Sequence, residues 1–385
     1  MTAGASPRAT EERGLSRRCF LTQGLSAGLG VAGLAALPSK LDLAQRPLRS
    51  PDAISGLPAL TPDGTRHAVF NNLPPRSQWQ NNYGYCGEVA MIAGGLYFGQ
   101  YVSQYDARAI ASKGIPQNRQ PSQLLLGVND TYAAAQMRLS AAEWDNGSEQ
   151  STSSFLAWVK QNVARGNPVA IGVFMNQYLF QYSSSASAGD PDYDHIVVVT
   201  GAGSNHALTD PSYYSDDAIY FSDNGCWPLT GTPSYGFAYS FGSFQKDRKQ
   251  ANAPDGPVYS LSNNGSNYGV ALTGVADLAK ETLPVWVGTS VNYEHPVISD
   301  GATGRPKPMS LTLDVRVNGL QAGRKYHLYR YNAFDSVPAS AFNAHAAHAQ
   351  MAWDIDASSE GPFTLSEKIM SDEIVAYRAV PRSAA

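Results

Sequence analysis

The sequence predicts an α+β chain, a helix-then-sheet domain followed by an all-β sandwich. Three observations predict it. Helical periodicity gathers before residue 167, short runs rich in Val, Ile, Tyr and Phe come after it, and residues 283–385 hold little but such runs separated by turns.

In the first domain, "CGEVAMIAGGLYFG" (86–99) places Val89, Ile92, Ala93 and Leu96 on one stripe despite its glycine pair, so a helix starts at Cys86. "SQYDARAIAS" predicts a second helix. "STSSFLAWVKQNVARGN" predicts a third, with Ser and Thr to cap its start and Gly166 and Asn167 to end it. "PVAIGVFM", "HIVVVTGA" and "DAIYFSDN" read as strands, continued by "GFAYSFGSF", "GPVYSLSNN" and "NYGVALTG". Helices that precede strands favour an antiparallel sheet over repeated βαβ units. This domain spans 65–282. In 283–385 the strands are "LPVWVGTSV", "MSLTLDVRV", "KYHLYRYNA", "PFTLSEKI" and "EIVAYRAV", interrupted by a helical segment near 337–350, and their spacing suggests a sandwich.

Composition narrows the function. The chain of 385 residues is 43% hydrophobic and 16% charged, as expected of a folded, turn-rich protein. A net charge of −4 without Lys/Arg blocks argues against a nucleic-acid partner. Three cysteines, Cys19, Cys86 and Cys226, are too few for a disulfide framework. The N-terminal "LSRRCFLTQGLSAGLGVAGLAAL" resembles a twin-arginine export signal with Arg17 and Arg18 as its pair. Its apolar run is too short and too glycine-rich for a spanning helix. Residues 1–44 are therefore expected to be a signal handled by the twin-arginine export machinery and 45–64 a linker. The mature protein is expected outside the cytoplasm, periplasmic or extracellular, with no membrane span.

The chemistry centres on Cys86. A cysteine at a helix start gains from the positive end of the helix dipole, which favours the reactive thiolate. Nucleophilic catalysis then needs a base, a group that orients it and donors for the oxyanion. His195 opens the Val-rich strand "HIVVVTG" and is the candidate base. Asp223 ends the next strand and is the favoured orienter, with Asn224 and Asp210 of "TDPS" as rivals. Gln80 is the candidate oxyanion donor, together with the Cys86 backbone N–H.

"QNNYGYCGE" resembles the papain superfamily, where a glutamine six residues before the nucleophilic cysteine serves the oxyanion hole and the cysteine opens the central helix. The strands around His195 and Asp223 are more similar to the branch related to peptidases that cleave double-glycine leader peptides of bacteriocins. The resemblance covers about 65–265. It departs from papain in lacking a tryptophan after the cysteine and in carrying an insertion between His195 and Asp223. It implies a papain-like catalytic domain and a cysteine hydrolase that cleaves amide or peptide bonds through an acyl-thioester on Cys86, His195 and Asp223. No cofactor or metal is expected, and the partner is a peptide or protein substrate. The same residues would serve acyl transfer of a transglutaminase-like or ligase-like kind, or the chain would be a non-catalytic secreted binding protein. Cys226 is read as an inert thiol and His345 and His348 as solvated residues.

Overall fold

A computed structural model describes residues 66–74, 76–79, 81–147, 151–175, 192–223, 236–244, 259–262, 266–294, 304–358 and 361–382. The signal and linker segments, Gln80, Asn224 and Cys226 lie outside the described residues. The fold is α+β, and every strand pairing among the described residues is antiparallel.

In chain order the first part runs β1 (His67–Phe70), α1 (Cys86–Tyr97), β2 (Gln100–Tyr101), α2 (Gln104–Ala111), α3 (Asp130–Gln136), β3 (Leu139–Glu143), α4 (Thr152–Ala164), β4 (Val169–Met175), β5 (His195–Ser204), β6 (Ala218–Ser222), β7 (Gly236–Ser240), α5 (Phe241–Phe244), β8 (Tyr259–Ser260) and β9 (Gly269–Val275). The main sheet has the order β3-β9-β4-β5-β6-β7, with β1 added on β5 and β8 on β4. Strand β4 is buried along its whole length and β5 along nearly all of it, because the sheet is covered on both faces. Ile196 and Val198 pack with Cys86, Ala90 and Ala93 of α1. Val197 and Val199, pointing the other way, pack with Phe155, Val159 and Val163 of α4.

The second part contains β10 (Val285–Thr289), β11 (Ser310–Val317), β12 (Lys325–Tyr331), β13 (Met351–Asp356), β14 (Phe363–Met370) and β15 (Val375–Pro381). They form a three-stranded sheet, β10-β11-β14, and a four-stranded one, β13-β12-β15-β2. Leu311, Leu313 and Val315 of the first meet Leu328, Tyr331 and Tyr377 of the second in one core. That core also takes in Met91, Ile92 and Leu96 of α1 and Ala107 of α2. Strand β2 crosses from the first part into the second and pairs with β15, Val375 opposite Tyr101. The apolar interior is thus continuous across residue 282.

Several elements differ from the sequence expectation. Strands β1 to β3 are interleaved with the helices instead of following them. The segment near 337–350 is not an α-helix: short 3-10 turns occupy Phe334–Ser336 and Ala346–His348, and Ala341 turns left-handed at φ 53°. It has no apolar stripe to bury, and Pro338 breaks its start. "GFAYSFGSF" is a strand only to Ser240, where the Ser240 Oγ accepts from the Ser243 N–H at 3.2 Å and starts α5. Helix α3 and strands β3 and β13 have no counterpart in the sequence reading; β3 is Ala-rich, bulged and mostly exposed, and gives a weak pattern.

Candidate active site

Cys86 opens α1 after a loop whose backbone is left-handed three times in succession, with φ 51° at Asn82, 72° at Tyr83 and 77° at Gly84. Glycine adopts this freely; a residue with a Cβ loses about 1–2 kcal/mol there. The loop is held by its carbonyls. Arg108 on α2 donates through Nη1 to the Asn82 carbonyl at 2.5 Å and through Nη2 to the Gly84 carbonyl, and Gln123 donates to the Tyr83 carbonyl at 3.1 Å. All three left-handed residues are therefore fastened from outside the loop.

Arg108 is itself buried and paired. Its Nε donates to Glu88 Oε1 at 2.6 Å, and its guanidinium lies over the Tyr85 ring, 3.7 Å from the centroid. Glu88, in the first turn of α1, accepts a second bond from the Leu124 N–H at 2.9 Å. Burial pushes the Glu88 carboxyl up, and Arg108 pulls it back. Desolvation lowers the proton affinity of Arg108, and Glu88 more than restores it. The close approach of α1 to Leu124 requires a glycine at position 87, where a Cβ would lie 2.1 Å from the Leu124 carbonyl oxygen. Tyr85, next to Cys86, stacks on Trp79 with ring centroids 5.3 Å apart and donates to Gln117 at 2.8 Å.

A second buried polar cluster fastens the chain upstream of this loop to the second part of the molecule. Arg76 donates to Thr289 Oγ1 at 2.9 Å and to the Val291 carbonyl at 3.0 Å, and pairs with Glu294. Gln104 donates to the other Glu294 oxygen and to the Ser77 carbonyl, and accepts from the Trp79 N–H at 2.8 Å. The segment that leads to Cys86 is thus gripped by residues 289–294.

The imidazole comes from the sheet. His195 is the first residue of β5 and pairs across β4 with Val173. Its Nε2 lies 2.7 Å from Asp223 Oδ1, with both side chains fully buried. Register accounts for this pairing. Ser222 stands opposite Val198 where β6 ends, so Asp223, the next residue, comes off β6 close to the start of β5. The other Asp223 oxygen accepts from the Tyr259 hydroxyl on β8. With Nε2 committed to the carboxylate, Nδ1 is left for the thiol of Cys86. The imidazole is buried, and the Cys86 thiol acts on it through a side-chain hydrogen bond and charge. Burial lowers the imidazole's affinity for its proton, but Asp223 and then Cys86 outweigh it and push the pKa up to about 10.

Of the residues singled out in the sequence, the structure brings together Cys86, His195 and Asp223. Asp210 lies apart, half-buried, accepting from the Ser212 N–H at 2.8 Å and the Tyr214 hydroxyl at 3.0 Å within the 205–217 insertion. His345 and His348 sit on an exposed turn, ring centroids 5.3 Å apart. Among the described residues no group of His, Cys, Asp or Glu side chains is placed to hold a metal ion. No helix among them is long and apolar enough to cross a membrane. Tyr259, the Arg108–Glu88 pair and the Arg76–Glu294–Gln104 cluster escaped the sequence reading. A signal existed for Arg108: Gln104, Ala107, Arg108 and Ala111 recur at helical spacing and are all buried, so a cation sits inside the packed stripe. No protein-family model, curated protein or solved structure matches the chain.

Proposed function

We propose that the protein is a cysteine hydrolase of papain-like type that cleaves an amide or peptide bond through an acyl-thioester. One observation carries the reading: a buried His195–Asp223 pair at 2.7 Å whose imidazole meets, on its other side, a thiol at a helix start. That combination supplies a nucleophile, a proton carrier and an orienter in contact order.

In this reading Cys86 Sγ attacks the carbonyl carbon and the carbonyl π electrons move to oxygen. The Cys86 backbone N–H at the positive end of α1 holds that oxyanion, joined by Gln80. Collapse of the intermediate breaks the C–N bond, and His195 gives its proton to the departing amine. Water then attacks the thioester, His195 takes its proton, and the carboxylate leaves as Cys86 regains a thiolate beside imidazolium. Asp223 fixes the ring so that Nδ1 faces the sulfur, and Tyr259 fixes Asp223. No step calls on a metal or an organic cofactor. The left-handed loop and its Arg108 grip keep the sulfur in place through both half-reactions. Export through the twin-arginine-like N-terminus belongs to the same proposal, with a peptide or protein as the substrate.

The test is alkylation by iodoacetamide across pH 4–9, localised by mass spectrometry, beside cleavage of a mixed peptide library. Cys86 should label rapidly well below the pH at which an ordinary thiol ionises, and His195→Ala should lose that low-pH labelling. Cys86→Ala should lower cleavage by on the order of 10⁴-fold or more without changing the melting temperature. Slow labelling with an ordinary titration, equal in wild type and His195→Ala, would overturn the assignment.

A further inference from the structure

At the far end of α1 from Cys86, between the two parts of the molecule, lies a groove of about 620 Å³. That volume falls in the range of small-molecule sites. Its walls are largely apolar and partly aromatic, among them Tyr97, Phe98, Leu283, Val285 and Trp286. Trp286 is fixed there by donating its indole N–H to the Asn72 carbonyl at 2.7 Å.

The polar groups of the groove are unevenly charged. Three cations line it, Lys280, Arg316 and Arg378, against one acid, Asp277. Asp277 is already occupied: its oxygens accept from the Ala279 and Thr282 N–H groups and from the Thr282 hydroxyl. No carboxylate forms an ion pair with any of the three cations among the described residues. For Lys280 and Arg316, which are exposed, that is ordinary. For Arg378 it is not. Arg378 is 1% exposed, and its partners are neutral: the Phe98 and Tyr377 carbonyls at 3.3 and 2.8 Å and Gln100 Oε1 at 2.8 Å. Its Nε has no partner at all. Buried charges in proteins are normally matched by an opposite charge. The negative end of α1, reached through the Phe98 carbonyl, offsets part of this one, about half a charge.

We propose that this groove is a binding site for an organic anion, a molecule with a carboxylate on an apolar body. The carboxylate would lie between Lys280 and Arg316, in the field of Arg378, and the body would lie against Trp286 and Phe98. The site is separate from Cys86 and stands whether or not the hydrolase reading does.

Octanoate and octan-1-ol are the matched probes, titrated calorimetrically into the full protein. Octanoate should bind at one site and at least about tenfold more tightly than the alcohol, a charge-dependent preference. The surface variant Lys280→Gln/Arg316→Gln, which leaves the core untouched, should bring octanoate down to the affinity of the alcohol. Absence of octanoate binding at millimolar concentration, equal binding of both probes, or an unchanged preference in the double variant would each overturn the proposal.

Discussion

Helix α1 ends on a buried arginine at both extremities, and the two are not alike. At the start, Arg108 has Glu88 as a partner at 2.6 Å. At the finish, Arg378 has carbonyls and an amide oxygen only. Desolvation pulls both guanidinium groups down. Glu88 reverses the effect at Arg108, whereas Arg378 is left at about 10. The difference teaches what a carboxylate does for a buried cation: it turns a group expensive to hide into a strut. The strut stands beside Cys86, and the charge without an ion pair stands beside the groove.

The largest effect that would sharpen this contrast is at the second cation–carboxylate contact near the α1 start. Asp223→Asn should cut turnover by roughly 10²–10⁴-fold, because the imidazole loses the charge that holds and orients it. It should also move the alkaline limb of the pH–rate profile to lower pH, since Asp223 is the main group that raises His195. The sign for stability follows from the same shift. A histidine raised from its ordinary 6.5 to about 10 contributes stability that is complete below about pH 6.5 and is lost as pH rises towards 10. Denaturant midpoints of the wild type should fall over that interval, and those of Asp223→Asn should be flatter. A variant with an unchanged pH–rate profile would show that the carboxylate does not govern the ring.

Next in size, Arg108→Met strands Glu88 and releases two carbonyls of the left-handed loop. The expected loss is about 3–5 kcal/mol, with slower Cys86 labelling in the protein that remains folded. Urea unfolding beside labelling kinetics separates the two. Smallest, Arg378→Met breaks no ion pair but takes the donor from the buried Gln100 Oε1, and the expected loss is about 1–3 kcal/mol. Equal losses at Arg108 and Arg378 would break the comparison.

The periodic elements were legible. Helices α1, α2 and α4 and strands β4, β5, β6, β9, β10, β11, β12, β14 and β15 lie where the apolar patterns place them, since each buries a continuous face. The Cys86, His195 and Asp223 candidates could be named because each falls at an element boundary that short motifs mark. The choice between Asp223 and Asp210 could not be made from sequence, because it depends on the β5–β6 register, which a bulge between Val199 and Gly201 shifts. The polar grips stayed hidden for another reason. Arg76 meets Glu294 across 218 positions and Arg108 meets Glu88 across 20, and no local pattern encodes a pairing at such distance. Tyr259 sits on a two-residue strand, too short to carry a period.

The two residues of β2 have an effect out of proportion to their number. Lying along β15, they cover the backbone of Val375 and Ala376 at the sheet margin. A polypeptide beginning at residue 283 would bare that margin together with the apolar face that α1 covers, and open strand margins of this kind recruit other chains. The second part is therefore poorly suited to be shuffled as a cassette. Its apolar face is covered by the first, and the two should be inherited together.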